Sequence, residues 1–152
     1  MHKGDVAPDF ELLDQSGTPV RLSTLLAEGP VVLFFYPLAM SGGCTAEVCH
    51  FGDLSVEFQA LGAHRVGISR DSVERQAEFA RKTGISYPLL SDPQETVIGE
   101  YGVKRRLLAK VLPVKRSTFV IGQNGTILDV ISSETDMRTH ADRALRVLGQ
   151  SA

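Results

Sequence analysis

Val31 to Cys49 reads VVLFFYPLAMSGGCTAEVC, and this stretch decides the architecture. Val31 to Tyr36 is an apolar run without polar alternation, the pattern of a strand buried on both faces of a sheet. Pro37 ends it. From about Gly43 to Leu61, Val48, Phe51, Ser55 and Phe58 recur every three or four positions behind Cys44, with Leu54 beside them. That spacing predicts a helix with Cys44 in its first turn, closed by Gly62. A buried strand feeding a helix is the unit of an α/β protein. Both cysteines of the chain sit at its corner.

Working outward, residues 4 to 22 contain FELL and PVRL separated by Gln15-Ser16-Gly17, which predicts a hairpin near the N-terminus. Ser23 is expected to cap a short helix running to Leu26. His64 to Ser69 is a second strand. Asp71 or Ser72 then caps a helix with Val73, Ala77, Phe79 and Ala80 inside and Gly84 at its end. Tyr87 to Leu90 reads as a third strand, with a helix from about Pro93 to Tyr101. Strand and helix alternate here, so these strands should pair in parallel. Arg116 to Gly122 and Thr126 to Ser132 flank Gln123-Asn124-Gly125, a strong hairpin signal, and a last helix runs from about Asp136 to Leu148. The sum is an α/β sandwich with mixed strand directions. No repeat, linker or low-complexity stretch interrupts it, so residues 1–152 are expected to form a single domain.

With 152 residues the chain is long enough to bury its own core without disulfides or metals. Sixteen Lys plus Arg against eighteen Asp plus Glu leave a net charge of -2, so the molecule as a whole is not built to coat nucleic acid or anionic lipid. The N-terminus carries acidic residues and no apolar run, and the longest apolar run is too short to span a bilayer. A cytoplasmic location with no membrane or nucleic-acid partner is the expectation. In that setting two cysteines read as reduced thiols, whether catalytic or plainly structural, rather than as a disulfide scaffold.

A cysteine in the first turn of a helix lies near unpaired N-H groups and the positive end of the dipole, which favour its thiolate. Gly42-Gly43 remove bulk before it and permit unusual backbone angles, which would let N-H groups approach an oxygen at the sulfur. Ser41 can offer a hydroxyl to the same place. The bland account makes Cys44 a small buried hydrophobe, Ser41 only a cap, and Cys49 part of a second buried face with Val56 and Ala60. On a regular helix the two cysteines stand about 8–9 Å and roughly 140° apart. A disulfide needs Cα atoms within about 7 Å, so the pair could close only if the helix start unwinds. A metal site drawing on His50 or His64 lacks the usual ligand spacing. His50 reads better as a polar helix residue that tunes Cys49. A general thiol-disulfide exchanger lacks its CxxC.

At these residues the chain resembles a peroxiredoxin of the Q type, also called bacterioferritin comigratory protein. The resemblance rests on PxxxSxxC, here Pro37, Ser41 and Cys44, and on Cys49 five residues on. It extends through GDVAPDFEL, VVLFFYP, VGISRDS, YPLLSD, YGV and RSTFVIGQNG in the expected order. It implies a thioredoxin-like α/β/α sandwich with a mixed central sheet and an N-terminal β-hairpin. It further implies a peroxidatic Cys44, a Ser41 that hydrogen-bonds the peroxide, a Pro37 that shields the sulfur and an Arg116 beside it. Read by itself, Arg116 is a surface strand residue. Cys49 becomes the resolving cysteine of an intramolecular disulfide that a thioredoxin-like reductant recycles. Substrates would be hydrogen peroxide and organic hydroperoxides, with no metal or organic cofactor. A monomer is implied, with a dimer as the alternative. Relatives often carry TPGC where this chain has Ser41-Gly42-Gly43-Cys44, and Arg where it has Gly52.

A competing use of the chain is binding. Lys104, Arg105, Arg106, Lys110, Lys115 and Arg116 interleave with Leu107, Leu108, Val111 and Leu112, a basic amphipathic pattern suited to an anionic partner. A solvated loop and short helix covering the active-site face is the simpler reading of the same residues.

Overall fold

Alternation along one strand divides the interior into two cores. In the computed structural model, which describes residues 1–105 and 114–151, Val31–Phe35 is a strand buried at every position. Val31, Leu33 and Phe35 join the core on one face of the sheet, while Val32 and Phe34 join the core on the other. This is why the run shows no polar alternation: neither face meets water.

In chain order the elements are β1 (Glu11–Leu13), β2 (Pro19–Arg21), α1 (Leu22–Leu26), β3 (Val31–Phe35), α2 (Gly42–Asp53) and α3 (Ser55–Ala60). They continue as β4 (His64–Ser69), α4 (Val73–Thr83), β5 (Leu89–Ser91), α5 (Thr96–Glu100), β6 (Ser117–Ile121), β7 (Ile127–Ser132) and α6 (Met137–Ser151). The strands form one seven-stranded sheet in the order β2-β1-β5-β4-β3-β6-β7. β3, β4 and β5 pair in parallel, as their intervening helices require. The two hairpins add antiparallel strands outside them, β1 on β5 and β6 on β3. Residues from α2, α3, α4 and α6 fill one core, and residues from α1 and α5 the other. No helix among the described residues is long and apolar enough to cross a membrane.

Several boundaries differ from the sequence expectation. The helix carrying Cys44 breaks at Leu54, whose φ of -96° and ψ of 21° end α2 and start α3. Val56 and Ala60 are exposed, so the bland account that placed Cys49 with them on a second buried face does not hold. Ser23 lies inside α1 and does not cap it; Asp9 Oδ1 accepts its N-H at 2.9 Å instead. β5 starts at Leu89 rather than Tyr87. α5 starts at Thr96, where Asp92 accepts the N-H groups of Thr96 and Ile98, and α6 continues to Ser151. Of the basic segment, residues 106–113 lie outside the described residues.

Aromatic packing fixes α2 on the sheet. The Phe34 and Phe51 rings stack with centroids 4.2 Å apart, and two further rings flank that pair, Phe58 against Phe51 and Tyr87 against Phe34. Each such side chain contributes about 1.5–3 kcal/mol by burial. Gly67 on β4 makes the room, because a Cβ there would sit 3.0 Å from both the Phe34 and the Tyr36 ring.

Candidate active site

The loop between β3 and α2 is held by buried polar groups before it reaches Cys44. Asp71 Oδ2 accepts from the Ala39 N-H at 2.8 Å and the Ser69 hydroxyl at 2.7 Å, and Asp71 Oδ1 accepts from Arg75 Nε at 2.9 Å. Arg75 Nη2 also donates to the Ala39 carbonyl at 3.4 Å. The backbone is thus gripped just before Met40, whose φ of 68° puts a non-glycine residue in the left-handed region. Such a conformation persists only where its surroundings enforce it. Neither Gly42 nor Gly43 has a positive φ; the unusual backbone angle belongs to Met40 and not to the glycines.

Ser41 caps α2. Its hydroxyl oxygen accepts from the Cys44 N-H at 3.4 Å, while its one hydrogen goes to the Leu38 carbonyl at 2.9 Å. Cys44 therefore sits in the first turn, fully buried and unpaired as a disulfide. Pro37, just after β3, is buried as well.

Arg116, immediately before β6, is only 4% exposed. Its Nη2 donates to Cys44 Sγ at 3.2 Å, and its Nη1 donates to Glu47 Oε1 at 3.0 Å. One guanidinium thus spans two acidic groups on a single helix. Gly43 is part of this fit: a Cβ there would lie 3.2 Å from Arg116 Nη2 and 3.4 Å from Met137 Cε. Glu134 Oε2 accepts from the Arg116 backbone N-H at 3.1 Å and from Arg105 Nη2 at 2.7 Å, fixing the start of the strand.

Sequence reasoning missed Glu47, which is fully buried. Burial pushes its carboxyl up to about 8, against the pull of Arg116. Its Oε2 has no hydrogen-bond partner among the described residues. His140 of α6 stands 3.7 Å away. The His140 Nε2 donates to the Ser133 carbonyl at 2.9 Å, and its Nδ1 then accepts from the Thr118 hydroxyl at 2.7 Å. Burial lowers the His140 pKa, so the ring is neutral.

Cys49 is set apart from this cluster. It is half-buried on the same unbroken helix and lines a cavity of about 200 Å³ with Asp53, Arg65, Thr83, Ile85 and Tyr87. Burial and then the nearby Asp53 raise its thiol pKa. Three side chains anchor this half of α2: the Tyr87 hydroxyl donates to the Val48 carbonyl at 2.7 Å, Arg65 Nη1 donates to the Phe51 carbonyl at 2.7 Å, and His50 Nε2 pairs with Asp142 at 2.8 Å. His50 therefore serves the contact with α6, and Asp53 is the group acting on Cys49. Tyr87→Phe is expected to lower stability by about 1 kcal/mol, read as a fall in the urea midpoint at unchanged slope. An unchanged midpoint would mean that the Val48 bond contributes nothing net.

Three residues of the basic segment have acidic partners among the described residues. Lys104 pairs with Glu95 at 3.2 Å, Arg105 pairs with Glu134, and Arg116 is buried in the site.

The sequence matches the AhpC/TSA family model over residues 3–130. A Mycobacterium tuberculosis protein named as a peroxiredoxin is 60% identical over 97% of this chain and 96% of its own length. Chloroplastic peroxiredoxin Q of Sedum lineare is 40% identical over 96% of this chain and 77% of its own. Among solved structures, peroxidoxin BcpB of Mycobacterium tuberculosis superposes with a TM-score of 0.94 at 58% identity, covering 100% of this chain and 99% of that one. The bacterioferritin comigratory protein of Xanthomonas campestris, described for its alkyl peroxide reduction activity, superposes at 0.86 with 31% identity over 93% of this chain and 91% of its own.

Proposed function

The chain belongs to the AhpC/TSA family, with the thioredoxin-like α/β fold of the peroxiredoxins, and is a thiol-dependent peroxidase; from that premise we propose how its residues divide the work. Cys44 is the peroxidatic nucleophile. The observation that carries this assignment is the Arg116 Nη2 at 3.2 Å from its sulfur, at the start of a helix. Both features stabilise negative charge on the sulfur. The thiolate attacks the terminal oxygen of a hydroperoxide, the S-O bond forms as the O-O bond breaks, and the departing oxygen takes up a proton to leave as water or alcohol. Cys44 becomes a sulfenic acid. Arg116 holds the peroxide oxygens as charge moves across them. Ser41 turns its hydroxyl from Leu38 to the bound peroxide, and Pro37 keeps bulk water off the sulfur.

Cys49 is the resolving thiol. Its attack on the sulfenic acid makes the Cys44–Cys49 disulfide and releases water. The first turns of α2 must unwind for the sulfurs to meet, since an intact helix holds residues five apart on different faces. A thioredoxin-like dithiol then restores both thiols by exchange. Hydrogen peroxide and organic hydroperoxides are both substrates; the alkyl peroxide activity ascribed to the Xanthomonas relative supports the second class. The chain works as a single domain of residues 1–152 and as a monomer in the cytoplasm.

The resolving step is tested by oxidising the reduced protein with one equivalent of hydrogen peroxide and mapping its peptides by mass spectrometry. A Cys44–Cys49 linkage is expected, and its absence would remove Cys49 from the cycle. Cys49→Ser should consume one equivalent and then stall with thioredoxin, its reductase and NADPH present, resuming when a small thiol is added.

A further inference from the structure

Arg116 is one cation facing two buried acids. Its Nη2 serves Cys44 and its Nη1 serves Glu47. With both acids ionised, a site closed to water would hold a net negative charge, which a protein interior resists. We propose that Cys44 and Glu47 share a single proton, so that the reactive thiolate exists when Glu47 is a neutral carboxylic acid, and that ionisation of Glu47 draws Arg116 from the sulfur and slows peroxide attack. Glu47 is then a positioning residue acting through Arg116. The inference rests on the reading of Cys44 as the nucleophile.

Geometry places the proton on Oε2. Oε1 accepts from Arg116, as a carbonyl oxygen of a carboxylic acid can, while Oε2 receives no hydrogen bond. The nearest ring nitrogen, His140 Nε2, is 3.7 Å away, beyond hydrogen-bond range, and its hydrogen is given to Ser133. Among the described residues, no group besides Arg116 favours a carboxylate at this position. Glu134 beyond β7 disfavours one, His140 on α6 is neutral, and Tyr87, ahead of β5, keeps its hydroxyl proton on the Val48 carbonyl. Burial pushes Glu47 up to about 8.

The sign follows directly. The reactive form is the thiolate with Glu47 neutral. As pH rises, loss of the Glu47 proton near pH 8 draws Arg116 from the sulfur and the rate falls. The second-order rate of peroxide consumption in a single turnover should therefore drop on the alkaline side. Glu47→Gln keeps the neutral shape and removes the alkaline fall, so one unit above the wild-type midpoint it should exceed the wild type by about tenfold. His140→Gln should retain the fall. An alkaline fall that persists in Glu47→Gln, or vanishes in His140→Gln, would overturn the proposal.

A second measurement needs no activity. The infrared carbonyl band of a protonated Glu47 should be present in the reduced protein at neutral pH. In Cys44→Ala, where Arg116 serves Glu47 alone, the band should titrate away at lower pH, by the reciprocity of linked sites. An unmoved titration would overturn the sharing of the proton even if Cys44 is the nucleophile. Inactive Cys44 chemistry with a shifted band would instead fault the functional reading.

Discussion

Cys44→Ser should reduce peroxide turnover to background in the thioredoxin-coupled assay. The side chain is fully buried at the first turn of α2, with Arg116 Nη2 at 3.2 Å. A serine hydroxyl ionises far above a thiol, so it stays protonated beside the same helix end and guanidinium. Its oxygen also lacks the polarisable lone pairs that make a thiolate nucleophilic at neutral pH. The fold should survive, since Ser is smaller and its hydroxyl can accept the Arg116 bond that the sulfur now takes. Near-wild-type circular dichroism with no peroxide consumption is the expected pair of results. Turnover in Cys44→Ser above that of Cys49→Ser would sink the assignment, because Cys49→Ser keeps the first chemical step and loses only the second.

How much of this could be read from the chain depends on whether the deciding contacts are local. The buried run Val31–Phe35, the Asn124-Gly125 turn, the Ser72 cap and the Gly84 stop are set by neighbouring residues, and the corresponding elements are present. The break at Leu54 carries no Pro, and its neighbour Gly52 is helical, so periodicity alone runs past it. Strand β5 begins two residues late because the Pro88 position has no N-H to give to a ladder.

The site divides in the same way. Cys44 and Ser41 announce themselves by their place at a helix start. Arg116 does not, for it lies 72 positions from Cys44, and only antiparallel pairing of β6 with β3 brings it there. Glu47 was legible in principle. Cys44, Glu47, Val48 and Phe51 are the buried residues of α2, at the i, i+3, i+4, i+7 spacing of one helix face. A carboxylate on a stripe with Phe51 signals a buried partner cation. Gln76 gives a similar signal on α4, where it shares the buried face with Phe79 and Ala80 and bonds Tyr36, Ser69 and Leu90.

Arg116→Met should lower the second-order rate of peroxide reduction by about a hundred- to a thousandfold, the usual loss when one preorganised donor is removed from developing charge. The methionine fills similar volume but supplies neither charge nor donor. A unit pair at this kind of separation is worth about 4 kcal/mol at an effective dielectric near 20, and the loss falls on thiolate formation and on O-O cleavage together. Stability should suffer less than breaking a buried ion pair usually costs, about 3–5 kcal/mol. Glu47 already carries its proton at neutral pH, because burial holds it near 8, so no bare carboxylate is left behind. Arg116→Lys should recover only part of the rate: one ammonium cannot reach Cys44 Sγ and Glu47 Oε1 with the parallel geometry of two guanidinium nitrogens. Stopped-flow peroxide consumption with each variant separates these outcomes. An Arg116→Met protein within threefold of wild type would mean that the guanidinium only supports the fold at the start of β6, and the charge on Cys44 would then have to come from the helix alone.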